Sequence, residues 1–121
     1  MADCLIIDNS NLCRKLATIH AQHLDLEPVE ASNAKEALMH CRKSMPDVIF
    51  LNWKMPGMDG IAFLNEFKQI KDSEETYVIM CTGKSRDSDK EQATKAGVNE
   101  YLVKPISLNM LKDALERCRI F

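Results

Sequence analysis

Apolar residues in this chain follow two alternating rhythms. Short continuous runs, such as Leu5-Ile-Ile, Val48-Ile-Phe-Leu51, Tyr77-Val-Ile-Met-Cys81 and Tyr101-Leu-Val103, have the length of buried strands. Between them, apolar residues recur every three or four positions, as in helices packed along one side. The pattern predicts strands over 3–8, 26–31, 47–52, 77–82 and 100–104. It predicts helices over 11–24, 33–44, 60–71 and 87–96, and a fifth beginning after Ser107. In the first helix Leu12, Leu16, Ile19 and His23 recur at helical spacing, with Cys13, Ala17, His20 and Leu24 beside them. Ser32 or Asn33 is the N-cap expected for the second helix, and Gly97 a left-handed stop for the fourth. In the fifth, Leu108, Leu111, Leu115 and Cys118 share a stripe.

Five strand-helix alternations argue an α/β fold with a parallel sheet. Strand two carries Pro28, which lacks a ladder donor and so belongs at an edge. Strand three is nearly all apolar and reads as central. An edge second strand fits a flavodoxin-like (βα)5 three-layer sandwich of order 2-1-3-4-5. One domain over 1–121 is expected, with no linker, repeat or low-complexity tract.

Composition narrows the functional classes. Hydrophobic residues make up 45% and charged residues 28%, ordinary values for a globular protein with its own core. A net charge of −2 advertises no nucleic-acid partner, and no apolar run approaches the ~18 residues of a membrane span. The five cysteines form no Cys-x-x-Cys pair. Four occupy apolar-periodic positions, so buried thiols in a reducing cytoplasm are expected, not disulfides or a zinc site. No glycine-rich phosphate loop is present and no Asp-x-Asp ends an apolar strand run, which argues against a flavin protein or an aspartate-dependent phosphatase.

Polar residues stand where the apolar runs end: Asp8-Asn9, Asn52, Thr82-Gly83 and Lys104-Pro105. In an open parallel sheet these carboxyl ends converge where ligands bind. The intervals are 44 residues from Asp8 to Asn52, 30 to Thr82 and 22 to Lys104, with Met55-Pro56 after Asn52. This set resembles the receiver domain of two-component response regulators along the whole chain. Receivers take a phosphoryl group from a histidine kinase onto an aspartate, a transfer in which the protein positions groups and neutralises charge. The resemblance implies that Asn52 occupies the phosphoacceptor position. Asp8, Asn9, residue 52 and the backbone carbonyl of Lys54 would hold Mg2+. Thr82 would touch the phosphoryl oxygens, Lys104 would pair with the acceptor, and Tyr101 would be the aromatic switch. It further implies a cis bond before Pro105 and a tuning role for Lys54 and Lys84 at the mouth. The expected partners are a histidine kinase or phosphotransfer protein, and a downstream target on the helix 4–strand 5–helix 5 face. A signalling protein of the chemotaxis-regulator kind, with no fused output domain, is expected in place of an enzyme.

The chain departs from that pattern at Asn9 and Asn52, where amides replace carboxylates. Only Asp8 is left to attract a hard cation, so Mg2+ affinity should suffer. An amide forms no stable acyl phosphate, so the nucleophile is lost. Two histories account for this: a phosphorylation switch whose acceptor has been changed, or a natural pseudo-receiver acting through contacts or another ligand. Weaker signals have simpler explanations. His20 and His23 lie at i, i+3 without a third metal ligand. Arg14 and Lys15 form either a docking face or a solvated one. Lys112, Arg117 and Arg119 suit the dipole of the fifth helix, with a nucleotide-binding face the weaker reading. Met55 and Met58 follow residue 52 as an adaptable surface, and Asp59-Gly60 reads as a helix start.

Overall fold

The alternation of apolar runs and helical periods folds as one sheet between two helical layers. The computed structural model describes residues 2–118. The elements are β1 (Asp3–Ile7), α1 (Asn11–His23), β2 (Glu27–Ala31), α2 (Ala34–Lys43), β3 (Val48–Leu51), α3 (Gly60–Phe67), β4 (Tyr77–Thr82), α4 (Asp87–Ala96), β5 (Glu100–Val103) and α5 (Leu108–Glu116). All strand pairs are parallel, in the order β2-β1-β3-β4-β5. The architecture is the flavodoxin-like sandwich, with β2 and its Pro28 at an edge.

Strand residues alternate between two cores because successive side chains point to opposite faces. Leu5, Ile7, Ile49, Leu51, Val78 and Met80 pack with α2, α3 and α4. Cys4, Ile6, Val48, Phe50, Ile79 and Cys81 pack with α1 and α5. Helix starts are fixed by side-chain caps: Ser10 for α1, Asn33 for α2, Asp59 for α3 and Ser107 for α5. Gly97 ends α4 with a φ of 111°, a conformation glycine adopts without steric cost.

Three expectations need correction. The third helix stops at Phe67, short of 71, because Gln69 and Ile70 make tighter i−3 hydrogen bonds and Asp72 turns left-handed. In α1 the Leu12, Leu16 and Ile19 positions face solvent, at 70%, 49% and 48% exposure. The inward face is Cys13, Ala17 and Ala21, all small residues, followed by Leu24 at the C-cap. Met55 is buried against the α2–α4 core, with Met58 packed on it, so that pair is no free contact surface. Arg119 lies outside the described residues.

Candidate functional site

Four strand ends deliver the four polar stations to one rim. Asp8 follows β1, Asn52 follows β3, Thr82 ends β4 and Lys104 follows β5. The Lys104–Pro105 bond is cis. Asp8, Asn52 and Thr82 are buried. The Lys104 ammonium reaches Asp8 Oδ2 at 3.0 Å and Asn52 Oδ1 at 3.2 Å. Asp8 Oδ1 accepts from the Ser10 amide, so both carboxylate oxygens are engaged.

The amide of Asn52 is orientated by chemistry. Its Nδ2 donates to the Lys54 carbonyl at 2.8 Å and to Asn9 Oδ1 at 3.1 Å. A backbone carbonyl can only accept and an ammonium can only donate, so the opposite orientation would face like against like on both sides. The two amide hydrogens therefore fill the gap between Asn9 and Lys54. Among the described residues no buried side-chain nitrogen or oxygen lacks a partner. The Asn52 amide is thus fully matched, while one of the three N–H donors of the Lys104 ammonium is left over.

Mg2+ is the ion that the family resemblance implies, and this donor set does not fit it. Asn9 Oδ1 and the Lys54 carbonyl already accept from Asn52, and Asp8 Oδ2 is taken by Lys104. One carboxylate faces one ammonium, leaving no net negative charge for a hard dication that prefers anionic oxygens.

Around this centre a second group holds Tyr101. Its hydroxyl donates to the Lys84 carbonyl at 2.7 Å, and its ring meets Trp53 edge-on at 6.5 Å. Burial, reinforced by the Asp89 carboxylate, pushes the phenol pKa up and keeps this donor protonated. Lys84 lays its ammonium 4.3 Å from the centroid of the buried Trp53 ring, a cation–π contact. Thr82 Oγ1 accepts from the Lys84 amide at 3.2 Å. A polar cleft of about 530 Å3 lies over Asn52, Lys54, Thr82 and Lys84.

Other candidates are placed elsewhere. Arg14 is not part of a solvated face. It ion-pairs with Glu30 at 3.0 Å and donates to the Asp8 carbonyl at 2.7 Å, bracing the end of β1. His20 lines a cavity between α1 and α5, whereas His23 borders a separate one with Asp25 and Lys112, so the two do not converge. Arg117 grips Glu100 with two hydrogen bonds. Asp59 caps α3 through the Ala62 amide. Sequence reasoning missed Gly60. A β-carbon there would lie 2.7 Å from the Asn52 carbonyl, so glycine lets α3 start against the loop that carries Lys54. The Asp-Gly pair before an apolar run was the available signal.

A parallel α/β sheet with a carboxylate, a hydroxyl and a lysine at its carboxyl rim defines an open-sheet α/β domain whose polar site lies where ligands bind. The chain belongs to the response regulator receiver domain family, whose profile matches residues 4–116. It is 30% identical over 114 residues to the chemotaxis protein CheY-3 of Vibrio cholerae, covering 93% of this chain and 88% of that one. The phosphate regulon regulator PhoB of Escherichia coli is 26% identical over 103 residues, 85% of this chain and 45% of that protein. The chain thus spans less than half the length of such regulators. The crystal structure of V. cholerae CheY4 superposes with a TM-score of 0.91 at 28% identity, covering 97% and 98% of the two chains. Among the described residues no helix is long and apolar enough to cross a membrane.

Proposed function

We propose that this receiver works by protein contact and, with Asn52 at the acceptor position, is closed to phosphotransfer. The observation that carries the reading is the pair of hydrogen bonds from Asn52 Nδ2 to Asn9 Oδ1 and to the Lys54 carbonyl. An aspartate at position 52 would set a carboxylate oxygen against the Lys54 carbonyl, two acceptors that need a cation between them. The amide supplies that bridge from its own hydrogens. It also removes the nucleophile. A histidine kinase or phosphotransfer protein on one side, and a target on the α4–β5–α5 face around Tyr101 on the other, are the partners this reading proposes.

Incubation with a small acyl-phosphate donor and Mg2+, followed by intact-mass analysis, tests the reading. The expected outcome is no added phosphoryl group; a phosphorylated species mapping to residue 52 would overturn it. The retained Thr82, Lys104 and Tyr101 support the history in which a working switch had its acceptor changed. Asn9 supports the natural pseudo-receiver. The variants Asn52→Asp and Asn9→Asp/Asn52→Asp separate them. Labelling of the single variant near the rate of the double variant supports the changed switch. If both stay folded and unlabelled, only the interaction module stands.

A further inference from the structure

We infer that the cleft between α1, α5 and the sheet is a binding site for a small amphipathic monoanion, such as an aromatic carboxylate. The cavity measures about 400 Å3, within the range that accepts small ligands. Its origin lies in α1. The bulky Leu12 and Ile19 point to solvent, while Cys13 and Ala17 face inward and leave space above Phe50 and Cys81 of the sheet. Protein interiors are otherwise close-packed, so such a void forfeits dispersion contacts that an apolar ligand body would restore.

One end of the cleft, at the carboxyl rim of the sheet, is polar. Asp8, Asn52 and Lys104 line it, and His20 stands in its wall on α1. Among the described residues the Lys104 ammonium has two acceptors, Asp8 Oδ2 and Asn52 Oδ1, and an ammonium carries three donors. The remaining N–H is suited to one anionic oxygen. Asp8 already neutralises that ammonium, so the head gains one charge-assisted hydrogen bond and no net charge attraction, which favours a singly charged head over a dianion of the phosphate type. Such a ligand would provide an input beside residue 52 in place of phosphorylation, which rests on that residue being refractory to acyl phosphates.

The probes are 8-anilinonaphthalene-1-sulfonate, an apolar body with one anionic head, and uncharged N-phenyl-1-naphthylamine. Fluorescence titration of the protein as it stands should show saturable 1:1 binding of the first. The uncharged probe should bind about tenfold more weakly, the share of one charge-assisted hydrogen bond. Ala17→Leu and, independently, Cys13→Leu fill the cleft and should each weaken binding at least about tenfold by the same measure, in variants shown by circular dichroism to be folded. Lys104→Gln should erase the difference between the probes, and Leu12→Ser/Ile19→Ser should leave binding unchanged. Absent saturation, equal affinity for both probes, insensitivity of the folded filling variants, or loss of binding in the surface double variant would each overturn the inference. The mass assay above reports separately: a label at residue 52 sinks the proposed function without touching the probe result.

Discussion

Residue 52 shows how one amide changes what a site demands of its surroundings. Asn52 Oδ1 accepts from Lys104, and Nδ2 donates to two acceptors, so every neighbour is matched. Asn52→Asp keeps the shape and reverses half of that matching. Two acceptors lose their donor and a second carboxylate joins Asp8 around one ammonium. The variant should be less stable than the parent by about 1–3 kcal/mol in a chelator, the range for leaving buried polar groups unmatched. It should regain stability as Mg2+ is added, while the parent's melting temperature stays flat; melting curves in EDTA and in millimolar Mg2+ read this. A parent stabilised equally by Mg2+ would show that one carboxylate suffices. The positions of Asp8, Asn52, Thr82 and Lys104 were legible because each ends an apolar run. Of their hydrogen bonds only Lys104–Asn52 was implied by the resemblance; Lys104–Asp8, like the bracing Arg14–Glu30 pair, joins residues that only the folded sheet brings together.

At the scale of elements, periodicity reveals that a segment is helical but not which side meets the sheet. In α1 the larger apolar residues lie on one side and the smaller on the other, and the smaller side is the one packed. The end of α3 was also obscured, because Ile70 keeps the helical spacing after the backbone has tightened. The junction of β5 and α5 yields a pH prediction. Hydrogen bonds from Arg117, joined by one from Tyr77 and opposed by burial, hold the Glu100 carboxyl below its usual range. Burial, with the Glu100 carboxylate beside it, pushes the Tyr77 phenol upward. A carboxyl whose pKa is lower in the folded than in the unfolded chain stabilises above the unfolded value, about 4.3, and that contribution fades as pH falls through the folded one. Denaturant melts should show the parent losing stability between about pH 5 and pH 3 more steeply than Glu100→Gln. Parallel slopes would remove Glu100 from the acid response.

For the molecule as a whole, five thiols in a close-packed fold make its integrity easy to measure. Cys4, Cys41, Cys81 and Cys118 are buried, and Cys13 is half-buried on α1. Burial pushes the Cys41 thiol up to about 11 and Cys81 up to about 12, and raises Cys4 further. Thiolates are the reactive form, so the native protein should titrate with one fast equivalent of a disulfide reagent at neutral pH, assigned to Cys13. All five should react after unfolding. Rapid reaction of several thiols in the native state would contradict the two-layered core. The sheet also ends on β2. The Glu27 amide donates inward to the Ala2 carbonyl, so the alternation of a strand turns the next nitrogen, that of Pro28, outward. That nitrogen carries no hydrogen. A foreign strand approaching the β2 rim meets a ring where it needs a donor, and edge-to-edge growth into fibrils is checked at its first rung.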